Sequence, residues 1–335
     1  MKVAVFSTKP YDETFLKSAS QSSTHEFTFF ETRLGEKTVS LAAGYEGVCV
    51  FVHDQLTDEI IQRLAEGGTK LIALRCAGFN NVNVAAAQTQ KLKVVRVPAY
   101  SPHAVAEHAV AMMLSLNRKI YKAYAHVREG DFSLHGLMGF DMYQKTVGIV
   151  GTGKIGAIAA KILKGFDCRL LAYDVHKNPE VEALGAQYVT LTDLFEQSDI
   201  VTLHCPLMHE TYHMINQYAL KLMKKGVMLI NTSRGALIDT QAVIEELKSG
   251  RIGYLGLDVY EEEEDLFYED KSLQVIQDDV FSRLITFPNV IITGHQAFFT
   301  QEALQSIAET TVQNITAFEQ GKELVNEVTV DRVKK

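Results

Sequence analysis

Short apolar runs alternate along the chain with longer stretches of helical period. KVAVF (2–6), GVCVFV (47–52), LIALRCA (71–77) and KVVRV (93–97) are β-branched and nearly continuous, as expected of parallel strands buried on both faces. Between them, DEIIQRLAEGG (58–68) repeats its apolar positions every three to four residues and stops on glycine, and AAAQTQ (85–90) fits a short helix. This βαβα order predicts an open parallel sheet with helices on both faces. A second alternating block begins at Lys145, with strands at 145–150, 169–174, 199–205, 227–233, 254–259 and 289–294 and helices such as 154–166 and 241–250. Six strands with crossovers make a second doubly wound domain.

Two helical stretches set the division of the chain. SPHAVAEHAVAMMLSLNRKIYKAY (101–124) opens on Ser101-Pro102, a good helix start, and is apolar on more than one face. A helix apolar all round must be buried by something large, so an interdomain or intersubunit position is expected. QEALQSIAETTVQNITAFEQGK (301–322) reads as one long amphipathic helix, whereas the first block lacks a closing helix of its own. The chain is therefore expected to return: residues 1–100 and 299–335 form one discontinuous domain, and 101–298 are inserted in it.

Composition narrows the class. A length of 335 residues suits about two domains, and 47% apolar with 22% charged residues is ordinary for a globular protein. Lys and Arg number 33 against 41 Asp and Glu, a formal net charge of −8, which disfavours general binding to nucleic acid or to an anionic membrane. No run approaches the length of a membrane span, and MKVAVFSTKPYDETF reads as a first strand, not a signal peptide. Cys49, Cys76, Cys168 and Cys205 are scattered without a CxxC pair and read as reduced thiols of a cytosolic protein.

The candidate chemistry lies just after strands. Gly151-Thr152-Gly153-Lys154-Ile155-Gly156 follows KTVGIV and opens a helix. Gly151 permits the tight turn, Gly153 lets a pyrophosphate approach the helix N-terminus, and Gly156 allows close helix–strand packing. The next strand ends in Asp174, an acid placed to accept from a ribose diol and to repel a 2′-phosphate, so NAD is expected over NADP. Arg234, in Asn231-Thr232-Ser233-Arg234-Gly235, follows VMLI and offers a guanidinium fork for a carboxylate. His295 follows NVIITG and is a candidate proton donor and acceptor. One of Glu261, Glu262, Glu263 and Glu264 could orient it. An arginine, a His–Glu pair and a bound nicotinamide suit reversible hydride transfer to a 2-keto acid. His209-Glu210-Thr211-Tyr212-His213 matches HExxH literally but falls in a short connection after a strand, so no metal is expected. His103 and His108, five apart, do not share a helix face and read as structural or interface residues.

With LRCAGFNNVN, VPAYSPHAVAEHA, GIVGTGKIG, LHCPLMHETYHMIN, LINTSRGALID, LDVYEEEEDLF and TGHQAF in place, the chain resembles the D-isomer-specific 2-hydroxyacid dehydrogenases end to end, most of all their fermentative, NAD-dependent D-lactate branch. The resemblance implies a Rossmann NAD-binding domain inserted into a flavodoxin-like substrate domain, with hinges near residues 100 and 298. It implies Arg234, Glu263 and His295 as the catalytic set, with Glu261 and Glu262 as competing registers. It implies cofactor contacts from Gly151, Gly153, Lys154, Ile155, Gly156, Asp174, Cys205, Pro206, Thr211, Thr232, Ser233 and Asp258. Substrate contacts are implied from Ala77, Gly78 and Arg234, with Arg75, Tyr100 and Phe298 nearby. It further implies reduction of pyruvate to D-lactate by NADH in the cytoplasm, and homodimers, or tetramers, built partly through the helix after Ser101. The competing expectations are an enzyme for a bulkier keto acid and a non-enzymatic NADH-sensing scaffold.

Overall fold

In the computed structural model, which describes residues 1–333, backbone contacts divide the chain into two compact units. One is Met1–Ser101 together with the chain from Phe299 onward, and the other is Pro102–Phe298. The first segment runs β1 (Lys2–Val5), α1 (Pro10–Ala19), β2 (Glu26–Phe29), β3 (Gly47–Val50), α2 (Asp58–Glu66), β4 (Leu71–Leu74), α3 (Val84–Thr89) and β5 (Lys93–Val95). Its five strands pair in parallel in the order β2-β1-β3-β4-β5, the flavodoxin-like order.

The sequence pattern misses β2 and α1 for physical reasons. β2 is an edge strand whose residues alternate between exposed and half-buried, so it carries no continuous apolar run. α1 fully buries only Leu16, with Phe15 and Ala19 partly buried beside it, so its apolar stripe is narrow. It is fixed at its start by Pro10 and by the Lys9 amide donating to the Asp12 carboxylate at 3.0 Å.

The second unit opens with α4 (Pro102–Arg118) and α5 (Ile120–Arg128). The single helix expected over 101–124 is broken at Lys119, whose backbone is left-handed (φ 52°). Met112, Met113 and Leu116 pack with Val147, Ile149, Met228 and Ile230 in the core of the helix's own unit. There follow β6 (Thr146–Val150), α6 (Lys154–Gly165), β7 (Arg169–Tyr173), α7 (Pro179–Ala183), β8 (Gln187–Tyr188), α8 (Leu191–Gln197), β9 (Ile200–Leu203), α9 (Gln217–Leu222), β10 (Val227–Asn231), α10 (Thr240–Lys248), β11 (Ile252–Leu257), α11 (Asp279–Leu284) and β12 (Val290–Ile292). The sheet has seven parallel strands, not six, in the order β12-β11-β10-β9-β6-β7-β8. The added strand, β8, is two residues long and leaves no periodic signal. The order reverses between β6 and β9, which places the ligand crevice of such a sheet at the carboxyl ends of these strands.

The chain then returns as α12 (Gln301–Glu319) and α13 (Val330–Val333). Ala308, Val312 and Ile315 of α12 pack on Val3, Val5, Leu71, Ala73 and Val95, so this helix covers one face of the first sheet. Among the described residues no helix is long and apolar enough to cross a membrane.

Candidate active site

The dinucleotide loop is built by close approach. Gly151 has φ 92°, and a Cβ there would lie 2.5 Å from the Cys205 amide nitrogen, so no other residue fits the turn. A Cβ on Gly156 would lie 1.9 Å from the Gly151 carbonyl oxygen, which draws α6 tight against the loop. Gly153, in contrast, is exposed, and a Cβ there would meet nothing within 4 Å. The space before the α6 N-terminus is therefore open, with Lys154 exposed and Ile155 half-buried in the first turn. Asp174, just past β7, accepts from the Thr152 amide at 2.6 Å and the His176 amide at 3.0 Å. Burial alone would raise its carboxyl, but the His176 and Thr152 hydrogen bonds outweigh it and hold the group below the ordinary carboxylate range. Thr232 Oγ1 is buried without a partner, an orphaned polar atom at the end of β10. An open anion seat, a charged acid one strand over and an unsatisfied hydroxyl fit a dinucleotide.

Other residues expected at the cofactor serve first to shape the loops. Ser233 Oγ donates to the Cys205 carbonyl at 2.6 Å. Thr211 Oγ1 donates to the Pro206 carbonyl at 2.8 Å and accepts from the Met208 amide, closing its own turn. The Cys205 thiol is buried, and that burial pushes it up to about 11, so it is no nucleophile. His204, which the sequence reading passed over, hydrogen-bonds Thr202 beneath the loop, and burial lowers it to about 4, so it stays neutral at physiological pH.

Arg234, Glu263 and His295 follow three adjacent strands. Asn231, Leu257 and Ile292 are in register at the carboxyl ends of β10, β11 and β12. Asn231 is fully buried; its Oδ1 accepts from the Ser233 amide and its Nδ2 donates to the Arg234 carbonyl at 2.8 Å, which fixes the arginine loop. A Cβ on Gly235 would lie 2.1 Å from the Tyr260 carbonyl carbon, so the arginine loop and the acidic loop are pressed together.

The four glutamates differ in their partners. Glu263 Oε1 lies 2.6 Å from His295 Nδ1, and its Oε2 accepts from the Tyr260 amide at 2.9 Å. Glu261 is engaged elsewhere: it pairs with His213 Nε2 at 2.5 Å and accepts from the Thr240 amide at 2.9 Å and from the Thr240 hydroxyl. Glu262 and Glu264 are exposed. His213, the second histidine of the HExxH match, is thus an ion-pair partner on a turn, and among the described residues no group of three or more side chains could hold a metal.

Asp258 is fully buried, and its carboxylate accepts from the Gln296 amide at 2.9 Å, the Ala297 amide at 2.9 Å and Thr293 Oγ1 at 2.5 Å. Within this unit it acts as the frame of the His295 segment, with His108 of α4 donating toward the same node through Thr293 at 3.1 Å. His108 thereby joins the hydrogen-bond network around Asp258.

Arg75 is held within the first unit. It is 1% exposed; its Nε donates to Asp12 at 3.1 Å, its Nη2 donates to the Ser7 carbonyl at 2.7 Å, and Phe51 lies over it. Its Nη1 is buried without a hydrogen-bond partner, and nearby Asp54 accepts from Ser7 Oγ and from the Leu34 and Phe51 amides. Arg75 supports the loops after β1 and β4 and does not present a surface group. Ala77 and Gly78 are half-buried beside it, with Arg96 donating to the Ala77 carbonyl at 2.7 Å. Tyr100 is half-buried near the end of the first segment, and Phe298 is buried as the last residue of the second unit.

A seven-stranded dinucleotide-type sheet with a His–Glu pair and an arginine at its carboxyl edge defines a dehydrogenase. Residues 110–297 match the model of the D-isomer specific 2-hydroxyacid dehydrogenase NAD binding domain, and the chain belongs to that family. Over 328 residues it is 55% identical to a D-lactate dehydrogenase of Escherichia coli (strain K12), covering 98% of this chain and 100% of that relative. It superposes with a TM-score of 0.93 on a pyruvate reductase structure from Chlamydomonas reinhardtii, 47% identical over 97% of this chain and 98% of that one. It superposes with a TM-score of 0.87 on the Aquifex aeolicus D-lactate dehydrogenase complexed with NAD and lactic acid, 33% identical over 97% and 98% of the two chains.

Proposed function

We propose that this protein is an NAD-dependent D-lactate dehydrogenase that interconverts pyruvate and D-lactate. The observation that carries the reading is the His295–Glu263 pair at the carboxyl edge of a sheet whose dinucleotide loop is open at Gly153. Bound NADH supplies the hydride, and NAD accepts it in the reverse direction. The α6 N-terminus holds the pyrophosphate and Asp174 accepts from the adenosine ribose diol. Thr232 Oγ1 offers the cofactor its unused hydrogen-bonding capacity. Arg234 pairs with the substrate carboxylate and polarises the keto group. His295 donates a proton from Nε2 to the keto oxygen, while Glu263, on Nδ1, orients the ring and balances its charge.

The test is NADH oxidation with pyruvate, 2-ketoisocaproate and phenylpyruvate, followed by chiral analysis of the product. Pyruvate turned over fastest to D-lactate is the expected result. A faster rate with either bulky acid would shift the substrate, and NADH binding without turnover would replace the enzyme by a sensor.

Asp174→Ala is expected to weaken NADH binding about ten- to a hundredfold, the loss of one or two hydrogen bonds to a charged group. It should weaken NADPH binding less, because the repulsion of a 2′-phosphate goes with the carboxylate. Fluorescence titration with both cofactors measures it, and an unchanged NADH-to-NADPH ratio would remove Asp174 from the ribose site.

We also propose a homodimer in the cytoplasm. α5 has no buried residue, and with the chain after it exposes Tyr124 (65%), Phe132 (77%), Leu134 (83%) and Met138 (86%). An apolar surface of this kind fits a second copy of the chain. Four buried, free cysteines suit a reducing compartment.

A further inference from the structure

His295 lies in the left-handed backbone region, with φ 52°, a region that residues other than glycine populate sparsely and that clusters at functional sites. Tyr268 is left-handed too, with φ 66°. The two are joined directly: Tyr268 Oη donates to the His295 carbonyl oxygen at 2.8 Å. The phenol ring also flanks the imidazole, with centroids 5.9 Å apart and planes 33° from parallel.

Further restraints hold His295 from either side in the chain. Its amide donates to the Asp258 carbonyl at 2.7 Å, and Glu263 holds Nδ1 at 2.6 Å. The Asp258 carboxylate fixes the next two amides, and His108 stands 3.5 Å from it. Glu263 and Tyr268 belong to one short segment. Its turn is closed by the Leu266 and Phe267 amides donating to the Glu263 carbonyl at 3.0 and 2.9 Å, and Phe267 anchors it in the core. This segment therefore grips His295 twice, by the ring through Glu263 and by the backbone through Tyr268.

We propose that Tyr268 is a positioning residue for the acid/base histidine. Its hydroxyl holds the His295 peptide in the left-handed conformation that points Nδ1 at Glu263 and leaves Nε2 for the keto oxygen. Without that hydrogen bond the peptide relaxes toward an ordinary conformation, and the ring leaves its productive direction. This inference rests on the proposed role of His295 as proton donor.

Tyr268→Phe tests it, because the ring stays and only the hydroxyl is lost. For pyruvate reduction kcat is expected to fall about five- to tenfold, the scale of one hydrogen bond. KM for pyruvate and the NADH dissociation constant are expected to stay within about twofold of wild type, the signature of an effect on the reacting geometry and not on binding. The melting temperature is expected to move by less than about 2 °C. The deuterium isotope effect on kcat, read with NADH labelled at the transferred position, is expected to rise as the chemical step becomes limiting. Wild-type kcat in Tyr268→Phe overturns the inference. So does a loss of kcat that follows a fall in melting temperature with the isotope effect unchanged. His295→Ala run alongside separates the two levels: if it keeps full turnover, the reading of His295 fails and this inference with it. If it is inactive while Tyr268→Phe is wild-type, only the role of Tyr268 fails.

Discussion

Replacing His295 by alanine is expected to lower kcat for pyruvate reduction about 10²- to 10⁴-fold, the usual contribution of a positioned acid/base group. NADH affinity is expected to stay within about twofold, because no feature of the dinucleotide loop depends on the imidazole. The reasoning is geometric. Glu263 occupies Nδ1 at 2.6 Å, the side chain keeps 20% of its surface exposed, and the remaining ring nitrogen has no partner assigned within the unit. A ring held on one nitrogen and open on the other is arranged to pass a proton. Removing it also leaves the Glu263 carboxylate without its partner, still accepting from the Tyr260 amide at 2.9 Å. The loss in turnover therefore includes whatever that stranded charge does to an anionic substrate. Steady-state rates with fluorescence titration of NADH measure both quantities. If NADH affinity falls in step with turnover, His295 belongs to the cofactor site and the assignment of roles is wrong.

The dinucleotide loop was legible in the sequence because its chemistry is local. A strand, three glycines, a helix and an acid at the next strand end are written within Gly151–Asp174, close enough together in the chain to be read as one unit. Arg234 and His295 were legible because each comes just after an apolar run. What the sequence hid is what depends on contacts distant in the chain. Four consecutive glutamates look alike, and only the partners, His213 and Thr240 for Glu261 and His295 for Glu263, distinguish them. Arg75 stands beside Ala77 and Gly78 in the sequence, and its bond to Asp12, 63 residues earlier, shows only in three dimensions. Asp258 reads as a cofactor contact, and its saturation by the 293–297 segment shows only in three dimensions. Tyr268 lies in a stretch without periodicity, and nothing there announces a hydroxyl aimed at a backbone carbonyl 27 residues on. The strands missed in the fold share a cause as well: β2 and β8 are at sheet edges and too short or too exposed to carry a pattern.

Arg234→Lys is expected to lower kcat/KM for pyruvate about 10²- to 10³-fold, through a large rise in KM together with a fall in kcat. Lysine keeps the charge and discards the fork, so the variant separates attraction from geometry. A guanidinium meets a carboxylate through two parallel N–H bonds, each charge-assisted, and the second of these also fixes the rotation of the keto group toward the proton donor. The loop is built to hold that direction: buried Asn231 ties down the Arg234 carbonyl, and Gly235 presses against Tyr260. An ammonium on a flexible stem reproduces neither bond pair nor angle. Long-range electrostatics cannot compensate. The chain carries a net charge of −8, so the average field repels pyruvate, and at physiological salt that field is screened beyond about 8 Å. Attraction has to come from a cation in contact with the substrate, with its acidic neighbours already engaged. Glu261 and Glu263 both are, by His213 and His295. Rates at several pyruvate concentrations, with NADH saturating, give the split between KM and kcat. A lysine variant with wild-type KM and kcat would show that the carboxylate is held by another group and would remove Arg234 from the substrate site.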